Sequence, residues 1–177
     1  DESTHPFCGG THCRDVRMTT RFHEDNVNDA IGSTMHESGH GIYEQGLLFE
    51  HVGTQMGQAV SLGIHESQSR MWENQVGRSE AFWKWCYPKL SEYFGDATSS
   101  LSFDDVYGGA NIVRPDFIRV EADEATYNMH IMIRFELERL IMSGDLAVAD
   151  IPDAWNQRYK EYLGIEVPSD AKGCLQD

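Results

Sequence analysis

The chain has 177 residues, is 40% hydrophobic and 11% aromatic, and carries a formal net charge of −15 with a pI of about 4.8. That length and apolar content suit one globular domain with a sizeable core and exclude a disordered chain. So acidic a balance excludes a nucleic-acid binder, which needs a basic surface, and no apolar run is long enough to span a membrane.

The four cysteines (Cys8, Cys13, Cys86, Cys174) are irregularly spaced and make no disulfide framework. With no stretch that reads as a secretory leader, reduced thiols in a cytoplasmic protein are the expectation. In chain order, His5-Pro6-Phe7 reads as a short extended piece running through Cys8-Gly9-Gly10 into a loop. Asp15 to Phe22 alternates Val16, Met18, Thr20 and Phe22 with polar residues, which predicts a strand. A helix follows, with Asn28 as N-cap, Asp29 in its first turn and Gly46 as its stop. Glu50 to Ser61 reads as loop with at most a short strand. Ser61 then caps a helix through His65 to Val76, ended by Gly77.

Ser79 with Glu80 opens the next helix, which runs to Gly95 past a kink at Pro88, with Phe82, Trp85 and Tyr93 as its apolar side. Ser102 to Asp105 resembles a capping box for a short helix ending near Gly108-Gly109. Pro115 suits a first helical turn, and the pattern beyond it runs to Met142, clearest from Asp123 onward, with residues 116–122 compatible with extended chain. Asp150 and Pro152 open a last helix to Leu163 that carries Trp155, Tyr159 and Tyr162. The fold class is therefore mainly α with two or three short strands, and residues 1–177 are expected to form a single domain.

The chemistry concentrates in the first helix, where His36-Glu37-Ser38-Gly39-His40 spells HExxH. Residues i and i+4 share a helix face, so both imidazoles can reach one cation, while Glu37 at the edge of that face can take a proton from an attacking water. Two surface histidines on a polar helix are the bland alternative. Gly32, Gly39 and Gly41 each cost about 1 kcal/mol against alanine in a helix interior, a cost a sequence can accept when a ligand or packed neighbour must pass close to the backbone. A catalytic zinc site wants a third protein ligand. The candidates are Glu44, Glu50, His51, His65, Glu66 and Glu73, and a residue on a separate helix packed against the first suits that role better than Glu44, which ranks Glu66 first and His65 second. Glu66 and Glu73 are two turns apart on one face, so one could ligate while the other orients a histidine. Cys8 and Cys13, near His5 and His12, are a weaker cluster whose spacing fits no common zinc pattern.

These motifs together resemble the carboxypeptidase Taq family of metallocarboxypeptidases. The carriers are His5-Pro6-Phe7 (HPF), Asp15-Val16-Arg17-Met18-Thr19 (DxRxT), the HExxH string, and His65-Glu66-Ser67-Gln68. Ile118 to Asp123 (IRxxAD) and Gly173-Cys174-Leu175-Gln176-Asp177, the first part of GxxQDxHW, complete the set. The resemblance implies His36, His40 and Glu66 as ligands of one divalent ion, zinc or cobalt, and Glu37 as general base and acid. It implies a mostly helical zincin-like catalytic core with a deep groove, in which Arg17 and Arg119 hold the C-terminal carboxylate of a peptide substrate. Guanidinium forks suit that task, and ordinary ion pairs are the alternative for each arginine. The family is homodimeric and more than twice this length, so residues 1–177 would be a core fragment lacking an N-terminal helical part and the His-Trp end of the last motif. Gly108-Gly109 departs from the helix formers expected there.

Three functions compete: a metallocarboxypeptidase, a non-catalytic metal-binding fragment of one, and an interaction protein whose histidines are merely solvated.

Overall fold

The computed structural model describes residues 1–176. It is mainly helical with one two-stranded antiparallel sheet, in the order β1 (Phe7–His12), β2 (Asp15–Thr19), α1 (Val27–Gln45), α2 (Leu62–Arg70), α3 (Glu80–Phe94), α4 (Phe103–Ala110), α5 (Tyr127–Ser143) and α6 (Ile151–Leu163). Two compact units divide the chain, residues 1–110 and 111–177.

In the first unit the expected loop at Cys8-Gly9-Gly10 is strand instead. It pairs with β2 in the register Phe7–Thr19, Cys8–Met18, Gly9–Arg17 and Gly10–Val16. Gly10 is needed there, because a Cβ would lie 1.9 Å from the Asp15 carbonyl oxygen. β2 stops at Thr19 rather than Phe22; Thr20 bridges back to Glu2, and Arg21 leaves the sheet to form a two-pronged pair with Asp29 at 2.8 Å. Asn26, not Asn28, caps α1, its side chain accepting from the Asp29 N–H.

Ser61 and Ser79 cap α2 and α3 as expected, each hydroxyl accepting from the N–H three residues on. Beyond Arg70 the helix widens into a π-helical stretch, Met71–Val76, closed by the Gly77 N–H on the Trp72 carbonyl at 2.8 Å. The Glu50–Ser61 segment holds two short 3₁₀ turns, Phe49–His51 and Gln55–Gly57.

The buried side of α3 differs from expectation. Trp83, Cys86 and Leu90 pack with Ala110 of α4, with Phe82 at the margin; Trp83 is 2% exposed, whereas Trp85 and Tyr93 are 61% and 81% exposed. Bulky residues occupy both faces at helical spacing, so periodicity alone could not choose between them. α4 begins at its Ser102–Asp105 capping box and runs through Gly108-Gly109 to Ala110.

In the second unit the helix expected after Pro115 begins only at Tyr127. Residues 111–126 are instead loop with a 3₁₀ turn at Arg119–Glu121, and the Asp123 carboxylate gathers the N–H groups of Arg114, Ala125 and Thr126 and the Thr126 hydroxyl. α5 and α6 then clasp a core of Ile133, Leu137, Trp155, Tyr159 and Leu163, each contributing about 1.5–3 kcal/mol on full burial. Gly144 and Gly164 end the two helices in the left-handed conformation, at φ 82° and 70°.

Candidate metal centre

One backbone contact assembles the site. A Cβ on Gly39, between the two HExxH histidines, would lie 2.5 Å from the Ser69 Cα and 2.6 Å from the Gln68 carbonyl oxygen. Glycine therefore lets α1 and α2 touch main chain to main chain, and that contact brings Glu66 across to His36 and His40. Gly41 similarly admits Val16 and Cys8 of the hairpin, whereas Gly32 faces open space. Close approach thus accounts for two of the three helix glycines.

The Nε2 atoms of His36 and His40 lie 3.6 Å and 3.3 Å from the same oxygen, Oε2 of Glu66. Ligands about 2.1 Å from a tetrahedral zinc sit about 3.4 Å apart, so the spacing suits such an ion. This is the one trio of such donors among the described residues. The donor set, two imidazoles and a carboxylate, also suits zinc or cobalt chemistry. His65, the second-ranked ligand, instead stands behind His40, with its Nδ1 2.6 Å from the His40 Nδ1 and its Nε2 2.7 Å from Glu44 Oε1.

Neighbours hold the three donors. Glu73, from the π-helical stretch, meets the His36 Nδ1 at 2.9 Å and receives Arg70 at 2.7 Å. The fully buried Ser69 hydroxyl lies 3.1 Å from Glu66 Oε2. Burial by itself would lower the His36 imidazole, but the Glu73 hydrogen bond and the charges of Glu73, Glu66 and Glu37 outweigh it and hold it above its usual value. For Glu66 and Glu73 burial pushes upward and is outweighed by the histidines and Arg70, leaving both carboxyls below the usual range. Glu37 runs the other way. It is 5% exposed, and burial raises its carboxyl despite the opposing charges of His36, His40 and His5.

A family model of the carboxypeptidase Taq (M32) metallopeptidases matches residues 1–177. The chain belongs to this family. Thermostable carboxypeptidase 1 of Thermus thermophilus is 49% identical over 178 residues, spanning 100% of this chain and 34% of the relative. Carboxypeptidase 1 of Bacillus subtilis is 46% identical, spanning 100% of this chain and 35% of its own. The M32 carboxypeptidase of Deinococcus radiodurans R1 superposes with a TM-score of 0.96 at 46% identity, covering 100% of this chain and 36% of that structure. The chain thus spans about a third of the length of the relatives it matches.

Arg17, Arg119 and Gln176, from the other sequence motifs, each have partners within the chain. Arg17 is 80% exposed and forms a two-pronged pair with Asp15, at 3.0 Å on both prongs. Arg119 donates to the Tyr127 hydroxyl at 2.7 Å. Gln176, in the partial last motif, is a buckle: its Oε1 accepts from the Arg119 N–H and Arg134, and its Nε2 donates to the Phe117 and Gly173 carbonyls. Sequence reading noted the Gln176 motif but not this role, since its partners lie up to 59 residues away.

The Cys8/Cys13 cluster forms no metal-ligating group among the described residues, and all four cysteines are free thiols. Burial and the Glu37 and Glu44 charges push the Cys8 thiol up to about 11, so it keeps its proton. Among the described residues, no helix is long and apolar enough to cross a membrane.

Proposed function

We propose that this chain is the catalytic core of a metal-dependent carboxypeptidase that hydrolyses the C-terminal peptide bond of peptides. The observation that carries the reading is the convergence of the His36 and His40 Nε2 atoms on Glu66 Oε2, beside the buried Glu37. His36, His40 and Glu66 would hold one divalent ion, zinc or cobalt, per chain. Such an ion supplies Lewis acidity, polarising the scissile carbonyl and making water a nucleophile near neutral pH.

Glu37 is the general base: its carboxylate takes a proton from the attacking water and passes it to the leaving amine nitrogen as the C–N bond breaks. A carboxyl raised by burial binds that proton more firmly than an exposed one. Arg17 is assigned to the substrate's terminal carboxylate, exchanging its Asp15 partner for substrate. In the longer enzyme the assembly is a homodimer, as the family resemblance implies.

The exposure of Arg17 favours a second reading, a metal-binding fragment that folds but lacks a complete substrate groove. A peptidase assay on the zinc- or cobalt-loaded chain, reading C-terminal residue release by mass spectrometry, separates the two. The first reading expects release, falling by about 10²–10⁴-fold in Glu37→Gln with metal content unchanged. Metal bound without release supports the fragment reading. A purified chain that takes up neither metal eliminates both.

A further inference from the structure

His65 is the one imidazole of the α1–α2 cluster outside the trio, and it is partnered at both ring nitrogens. His40 and Glu44 lie one turn apart on α1, and His65 reaches from α2 to meet both, at 2.6 Å and 2.7 Å. The Tyr43 ring packs edge-on against it at 4.8 Å, and the Tyr43 hydroxyl accepts from the Val60 N–H at 3.3 Å, which fixes that wall.

From these contacts we propose that His65 is a positioning residue, which relays the Glu44 carboxylate to His40 and thereby holds the His40 Nε2 lone pair toward the metal site. The inference rests on reading His36, His40 and Glu66 as the ligand set. The proton assignment follows from the geometry. A neutral imidazole that ligates through Nε2 carries its proton on Nδ1. The His40 Nδ1–H then donates to the His65 Nδ1, which must be a bare acceptor. The remaining His65 proton sits on Nε2 and donates to Glu44 Oε1. Every donor meets an acceptor. In the reverse assignment the His65 Nδ1–H donates to His40, which places the His40 proton on Nε2, where it blocks ligation. It also sets a bare His65 Nε2 lone pair against the Glu44 carboxylate.

The two HExxH histidines are thus braced differently. His36 meets a carboxylate directly, through Glu73, while His40 meets one at a remove, through a second ring. Carboxylates that orient metal-bound histidines contribute about 10–100-fold in metal affinity.

Zinc affinity of the whole chain, measured by competition with a chromophoric chelator, tests the relay. Urea unfolding of each metal-free variant checks the fold. His36→Ala should lose more than about 100-fold, as expected of a direct ligand against the 10–100-fold of an orienting group. His65→Ala should lose about 10–100-fold, and so should His65→Phe, which keeps a ring against Tyr43 but has no acceptor for His40. Glu44→Ala should lose about 10-fold in the parent chain and nothing further in the His65→Ala background, because Glu44 acts only through His65. Glu44→Gln, which keeps an acceptor oxygen, should lose less than Glu44→Ala. Parent-like zinc affinity in both folded His65 variants overturns the relay, as does an equal Glu44→Ala loss in both backgrounds. A parent chain that binds no zinc, or a His36→Ala variant that binds it undiminished, overturns the ligand set and the relay with it.

Discussion

His36 and His130 are the same residue type in opposite surroundings. Around His36 stand Glu73, Glu66 and Glu37, whose hydrogen bond and charges outweigh its burial and hold the imidazole above its usual value. His130 is fully buried among Tyr159, Arg134 and Arg119, and burial, joined by the arginines, drives it down to about 4. Its Nδ1 meets the Tyr159 hydroxyl at 3.0 Å, and its Nε2 is buried with no hydrogen-bond partner among the described residues. The contrast teaches that a histidine becomes a receptor for positive charge through the carboxylates packed around it. Where burial outweighs the surrounding charges, as at His130, whose two arginines are opposed by Asp116 and Asp123, it becomes a neutral strut.

The largest effect expected comes from breaking the acidic side of this contrast at its origin. Gly39→Val sets a branched side chain where a Cβ already lies 2.5 Å from Ser69 Cα, so α2 must withdraw and take Glu66 with it. The expected result is loss of tight zinc uptake and a stability loss of about 3 kcal/mol or more, read by chelator competition and urea unfolding.

The neutral histidine is sharpened by pH. The His130 pKa is about 4 in the fold against 6.5 for an ordinary histidine, so between these values the unfolded chain binds more protons. The stability that a neutral His130 contributes is therefore complete above pH 6.5 and is lost as pH falls toward 4, by up to about 3 kcal/mol. His130→Phe should flatten that part of the urea-midpoint profile against the parent, and an unchanged slope would place the titration elsewhere. The smallest effect is a control on the same helix as Gly39. Gly32 has open space around it, so Gly32→Ala should leave zinc uptake intact and raise stability by up to about 1 kcal/mol.

Much of this was readable in the residues. HExxH placed two imidazoles on one helix face, and the demand for a third donor on another helix picked out Glu66, now the oxygen both rings face. The seven-residue offset put Glu66 and Glu73 on one face, and the fold sets Glu73 against the His36 Nδ1. Other features were hidden for identifiable reasons. Gly9-Gly10 looked like loop because strand pairing with β2, which satisfies their backbone, leaves no mark in local composition. The α5 start was misplaced because Pro115 is an honest helix opener, and only the folded Asp123 shows how strongly residues 111–126 are held otherwise. His65 looked like a reserve ligand because a sequence carries no information about which way a ring faces.

What the sequence alone determined was the inventory and its periodicity: a mainly helical chain, free thiols, two histidines one turn apart, a carboxylate within reach, and the motif order of a metallopeptidase family. What only the tertiary structure decided was direction and distance, including which face of α3 is buried, which ring stands behind which, and where Glu66 points. Periodicity follows from the backbone's own geometry and survives in the order of residues, whereas the approach of α2 to α1 depends on a contact between Gly39 and Ser69 that no local pattern encodes.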